Sequence, residues 1–78
     1  MNMKNEEVTV RHFVLSFNGM DNSGNIQQGN INYISVTGKF KFEDVDHAIA
    51  EHCKKLRNNG IQIYPNNCMI FSVFEVDV

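Results

Sequence analysis

Residues 11–36 read RHFVLSFNGMDNSGNIQQGNINYISV, and this stretch decides the fold. Phe13, Leu15 and Phe17 alternate with His12, Val14 and Ser16, and the alternation reaches back to Val8 and Val10. A two-residue period puts one set on each face of a β-strand. The chain then passes through Asn18-Gly19-Met20-Asp21-Asn22-Ser23-Gly24-Asn25. Asn18-Gly19 is a hairpin dipeptide, but the residues after it do not resume alternation. A three-residue loop, Asn22-Ser23-Gly24, places glycine at the left-handed position, so Gly24 is expected at positive φ. That loop pairs Asp21 with Asn25 and sets the register. His12 falls opposite Ile34, Phe13 opposite Tyr33, Leu15 opposite Ile31, and Val10 opposite Val36. A slip of one residue sets Phe13 against Asn32 and Leu15 against Asn30. Apolar pattern and turn therefore choose the same pairing.

Downstream, the second strand is expected from Gln27 to Lys39, ended by Gly38 and Phe40-Lys41-Phe42. Phe42, Val45, Ile49, Cys53 and Leu56 then recur at three- and four-residue spacing, which predicts an amphipathic helix of about four turns. Glu43, Asp44 and Asp46 open it and Lys54, Lys55 and Arg57 close it, as the helix dipole favours. Asn58-Asn59-Gly60 is a stop signal, while no Ser, Thr, Asp or Asn occupies the N-cap. Ile61 and Ile63 begin an extended segment that Pro65-Asn66-Asn67 interrupts. From Met69 to Val78 nearly every residue is apolar, which predicts a last strand covered on both faces. A crossover through the helix sets that strand beside the first. The expected fold is α+β: a three-stranded, mainly antiparallel sheet (ββαβ, order 2-1-3) with one helix on one face. Phe13, Leu15, Phe17, Ile31 and Tyr33 should meet Val45, Ile49, Cys53 and Leu56.

The chain has 78 residues, of which 42% are hydrophobic and 21% charged. That balance belongs to a globular chain and its length to one domain, 1–78, with residues 1–7 a polar, flexible lead-in. Eleven Asn, eight Val and seven Ile against two each of Leu, Ala and Arg favour sheet over helix bundle and suggest an AT-rich coding sequence. No run of about 18 apolar residues suggests a membrane span, and no apolar signal segment follows the start, so the expected location is cytoplasmic. Cys53 and Cys68 are then expected as free thiols, though close packing of helix on strand would allow a bridge.

Several chemistries find no support. Ser16, Ser23, Ser35 and Ser72 lack an elbow motif and a partnered histidine. The glycines form no phosphate loop. His47 and Glu51, four apart on the helix, could share a metal, but two ligands fall short of a site and His52 faces elsewhere. A solvated helix face, Glu43-His47-Glu51-Lys55, explains them. Helix-start electrostatics explain Glu43, Asp44 and Asp46. No enzyme, cofactor or metal is therefore expected. The net charge of −2 makes the phosphate term weak and argues against nucleic acid, although Lys39 and Lys41 form a local basic pair that leaves a small nucleic-acid-associated regulator as the alternative.

The elements Phe13-Val14-Leu15-Ser16-Phe17, the glycine turn, the Thr37-Gly38 break, the acidic-started helix closed by Asn59-Gly60-Ile61, and Ile70-Phe71-Ser72-Val73-Phe74-Glu75-Val76 together resemble short phage, prophage and mobile-element proteins of strand-strand-helix-strand layout. The longer segment from Ile61 to Cys68 departs from that pattern. The resemblance implies a non-enzymatic binding or accessory module acting on a host protein.

One helix covers one face of such a sheet. The other face should carry Val10, His12, Val14, Ile34 and Val36, joined by either Ile70, Phe74 and Val76 or Phe71 and Val73. A contiguous apolar patch of that kind predicts a two-fold homodimer, or a surface for a heterologous protein.

Overall fold

The hairpin forms in the expected register. In the computed structural model, which describes residues 10–76, β1 (Arg11–Met20) and β2 (Ile26–Ser35) pair antiparallel with His12 opposite Ile34, Phe13 opposite Tyr33 and Leu15 opposite Ile31. The lead-in of residues 1–7 and the last two residues lie outside the described part. So does Val8, the first residue of the expected strand. The ladder begins at Arg11 and Ser35, which leaves Val10 and Val36 just beyond its end.

The turn closes as its residues dictate. The Asp21 amide donates to the Asn25 carbonyl at 3.0 Å, the Gly24 amide to the Asp21 carbonyl at 3.0 Å, and Gly24 has φ 84°. Asp21 does more than pair. One carboxylate oxygen accepts the amides of Ser23 and Asn25, both at 2.9 Å, and the other accepts Gln27 Nε2 at 3.0 Å. These bonds, the Asn25 amide foremost, hold the Asp21 carboxyl below its usual pKa. A lowered carboxylate pKa contributes stability that is present above the unfolded value of about 3.9 and is lost as pH falls through the folded value. Asp21→Asn should therefore be less stable at neutral pH and lose less stability than wild type between pH 5 and pH 2. Thermal melts across that range check it; parallel curves for the two proteins would refute it.

β2 stops at Ser35 rather than Lys39. Ser35 Oγ donates to the Lys39 carbonyl at 2.6 Å, Thr37 Oγ1 accepts the Lys39 amide at 3.3 Å, and Gly38 takes φ 78°. This local turn removes the chain from the ladder and delivers it to α1 (Phe42–Asn58). At the helix start, Asp44 Oδ2 at N3 accepts the amide of the N-cap residue, Lys41, at 2.8 Å, which is the half of a capping box that the N3 side chain supplies. At the other end Gly60, at φ 90°, donates to Arg57 and Ile61 donates to Leu56, a Schellman closure.

Phe42, the expected first member of the buried stripe, is 90% exposed. Phe40 takes its place: its ring stacks on Phe13 at 4.1 Å and lies 5.6 Å from Tyr33. Ala48, Ile49 and Cys53 are the buried helix positions, with Val45 and Leu56 partly buried beside them. Ala48, Val45 and Leu56 pack with Phe13, Leu15, Phe17 and Ile31, whereas Ile49 and Cys53, expected there too, form a second cluster with Ile63. Ile63 completes the core in the segment after the helix. That segment forms no strand. The Asn22 amide donates to the Gln62 carbonyl at 2.8 Å, and Arg57 Nη1 donates to the Ile63 carbonyl at 2.8 Å. A single helical turn, Pro65–Asn67, then leads into β3 (Cys68–Val76), antiparallel to β1, in the sheet order β2-β1-β3.

β3 departs from its expected reading in two ways. It holds the edge place that the expected order gives it, but it is not covered on both faces: most of its side chains are exposed. It also carries a bulge. Leu15 pairs with Val73 and Ser16 with Ser72, but Phe17 pairs with Ile70, so Phe71 is the extra residue. The two-residue alternation changes phase there. Ile70 joins the core below the helix, whereas Phe74 and Val76 oppose Val14 and His12 on the other face. The expected set Ile70-Phe74-Val76 is therefore divided between the two faces, and Val73, opposite Leu15, lies on the helix side.

Candidate interaction surface

The face of the sheet away from the helix is built from the β1 residues that alternate with Phe13, Leu15 and Phe17, and from their cross-strand partners. It has three zones. At one end His12 lies between Ile34 and Val76, and Val14 lies between Asn32 and Phe74. Val10 and Val36, both exposed, flank this end. The middle is polar: Ser16 lies between Asn30 and Ser72, and Asn18 faces Gln28. Ser16 Oγ donates to Asn30 Oδ1 at 3.0 Å, and His12 Nε2 meets Asn32 Oδ1 at 3.1 Å. At the far end Met20, Ile26 and Met69 are exposed. The expected surface residues Val10, His12, Val14, Ile34 and Val36 thus gather at one end, and an amide band bounds them.

The second apolar zone is the free edge of β3. Phe71 is 61% exposed, Phe74 62%, Met69 58% and Val73 48%. Two geometric facts produce this. The helix covers Cys68 and Ile70 at the start of β3, and its backbone runs closer to β2 than to β3, so the far half is bare on the helix side as well. There, a groove of about 340 Å³ is lined by Phe40, Lys41, Phe42, Val45 and Val73. Phe42 and Val73 escaped the sequence reading, which placed one in a helix stripe and left the other's face open. The signal was present in the run Met69–Val76, which is apolar on both faces, but it is the same signal a central strand gives.

The two edges of the sheet differ in character. β2 reads Gln27-Gln28-Gly29-Asn30 and then Asn32, a polar edge. β3 has no Lys or Pro, and its one charge, Glu75, is neutralised within the molecule. Arg11 Nε and Nη2 donate to the two Glu75 oxygens at 2.9 and 2.8 Å. Arg11 Nη1 also reaches the Gly38 carbonyl at 2.9 Å, and the guanidinium lies 5.0 Å from the Phe13 ring centre. The hydrogen bonds to Arg11 lower the Glu75 pKa, and the same pairing raises that of Arg11. Charges and prolines are the usual devices that stop an edge strand from pairing with another chain. The one charge on β3 is already engaged, which leaves the bulge at Phe71 as the remaining irregularity along this edge.

His47, Glu51, His52 and Lys55 line one shallow depression with Asn32 and Tyr33 of β2. His52 lies edge-on to Phe17 at 4.8 Å, and its pKa is lowered first by burial and then by Lys55. His47 and Glu51 are exposed on the flank of the helix beside β2, and no group of three side chains placed to hold a metal ion occurs among the described residues. Lys39 and Lys41 line a shallow depression together with Glu43 and Asp44, so acids accompany the basic pair. No helix among the described residues is long and apolar enough to cross a membrane. No protein-family model, curated protein or solved structure matches the chain.

Proposed function

We propose that this chain is a non-enzymatic protein-binding module that works as a two-fold homodimer, joined along the free edges of two β3 strands. The observation that carries this reading is a nine-residue edge strand that is apolar on both faces and has no unpaired charge. Antiparallel pairing of β3 with its copy satisfies the outward backbone groups of both strands and extends the sheet to six strands. The same contact brings Phe42, Phe71 and Val73 of each copy together on the helix side, and Phe74 and Met69 on the other. The exposed parts of these five side chains amount to roughly 600 Å². With the strand backbone added, each copy approaches the ~800 Å² that a standard interface buries per partner. The resemblance to short mobile-element proteins supports the same kind of role in the cytoplasm, a binder of host protein without chemistry of its own. The apolar end around Val10, His12, Val14, Ile34 and Val36 remains free in this dimer for that partner.

Sedimentation equilibrium at micromolar concentration tests the pairing. The expected result is twice the chain mass for wild type and for Val14→Glu, which lies on the open face. Val73→Lys, which puts a charge beside the seam, should shift the protein to monomer while keeping its circular dichroism. A wild-type monomer removes the reading, and loss of the dimer in Val14→Glu with retention in Val73→Lys would move the seam to the open face.

A further inference from the structure

We infer that Cys53 and Cys68 form a closable thiol pair, which two-electron oxidation joins in a disulfide that staples the helix to the start of β3. Their sulfurs lie 3.6 Å apart, with no atom between them. Bond formation asks the two sulfurs to approach by only about 1.5 Å. Both are held where they are. Cys53 is 1% exposed in the second half of α1, packed with Ile49 and Ile63. Cys68 sits over Gly19, where a Cβ would stand 2.7 Å from its sulfur, and it also faces the Tyr64 carbonyl at 3.5 Å. Cys68 is only half-buried, so one sulfur of the pair is open to a small oxidant while the other is not.

The reaction balances with a low-molecular-weight disulfide as oxidant. The Cys68 thiol loses its proton and attacks one sulfur of the oxidant, releasing a first small thiolate and leaving a mixed disulfide on Cys68. Cys53, deprotonated in turn, attacks the Cys68 sulfur and releases the second. The two protein sulfurs lose two electrons and two protons; the oxidant gains both and leaves as two thiols. Burial and the neighbouring Cys53 push Cys68 up to about 11. Little thiolate is then present near neutral pH, so closure is slow and the pair suits a lasting staple better than rapid exchange.

The staple would close a loop of 15 residues. Loops of that length restrict the unfolded chain enough to raise Tm by ~10 °C or more in a domain this small. The test incubates the full chain at micromolar concentration with excess oxidised glutathione at pH 8 to a constant product, quenches in denaturant with iodoacetamide so that every remaining thiol is blocked, and reads the intact mass. Closure predicts loss of two hydrogens, no carbamidomethyl group, no bound glutathione, and a digest fragment joining Cys53 to Cys68. It also predicts a raised Tm that dithiothreitol returns to its starting value. Cys53→Ser should instead keep one glutathione on Cys68 and gain no Tm, and Cys68→Ser should take up no glutathione. Two blocked thiols, a persistent mixed disulfide on wild type, a covalent dimer, or a closed form with lowered Tm would each overturn the inference. None of these outcomes depends on how the chain self-associates, because the closing bond lies within one copy.

Discussion

Leu15→Ala is expected to cost about 3–5 kcal/mol and to leave the chain largely unfolded at room temperature. Leu15 is fully buried in the middle strand, with Ile31 beside it on β2 and Val73 on β3. It joins Phe13, Phe17 and Ala48 in the main apolar cluster. A domain of this size rests on a single core worth only ~3–5 kcal/mol in net stability, so one large cavity at its centre removes most of the margin. Urea unfolding followed by circular dichroism measures the loss. The neighbouring Val14→Ala, on the face away from the helix, serves as the comparison and should cost less than ~1 kcal/mol. A cost below ~1 kcal/mol at Leu15 would mean that the sheet and helix do not meet there.

Gly19→Ala should have the next largest effect, about 1–3 kcal/mol, and for a reason unrelated to backbone dihedrals. A Cβ at position 19 would stand 2.7 Å from Cys68 Sγ, 2.8 Å from the Asn67 carbonyl oxygen and 3.1 Å from Ile63 Cδ1. The carbonyl belongs to the turn that launches β3, so relief means moving the start of that strand. Adding Cys68→Ala to Gly19→Ala should recover part of the loss by removing the sulfur, but not the part due to Asn67. Gly29→Ala is the control, since its Cβ meets only the Phe17 ring edge, at 3.3 Å. Equal stability of Gly19→Ala and wild type in chemical denaturation would show that β3 does not start against β1 at this point.

Gly19 also shows where local reading ended. From sequence, Asn18-Gly19 is a hairpin signal set aside in favour of Asn22-Ser23-Gly24, and the turn does form at the later site. The reason for glycine at 19 is a close approach by Cys68 and Asn67, nearly fifty residues away. The candidate surface divides in the same manner. Ile34 and Val14 could be assigned to the open face, because one turn and one alternating pattern set the pairing of β1 with β2. Phe74 and Val76 could not be assigned, because the bulge at Phe71 breaks the phase of β3 and no residue in that run announces it. Spacing alone put Phe42 at the head of the buried stripe, and it is Phe40 that takes that place, because Phe13 offers it a stacking partner.

The sequence by itself determined the hairpin register, the left-handed glycine at 24, the helix and its closing glycine, and the strand order. Each of these follows from spacing, turn chemistry or connection rules that act over short separations. Only the tertiary structure decided that the far half of β3 is bare on both faces, that Ile63 enters the core, and that the two thiols touch. Those outcomes depend on where one 17-residue helix comes to rest on a three-stranded sheet. That position is a balance of packing among residues distant in the chain, and an apolar run has the same pattern whether a helix, a second copy or water lies against it.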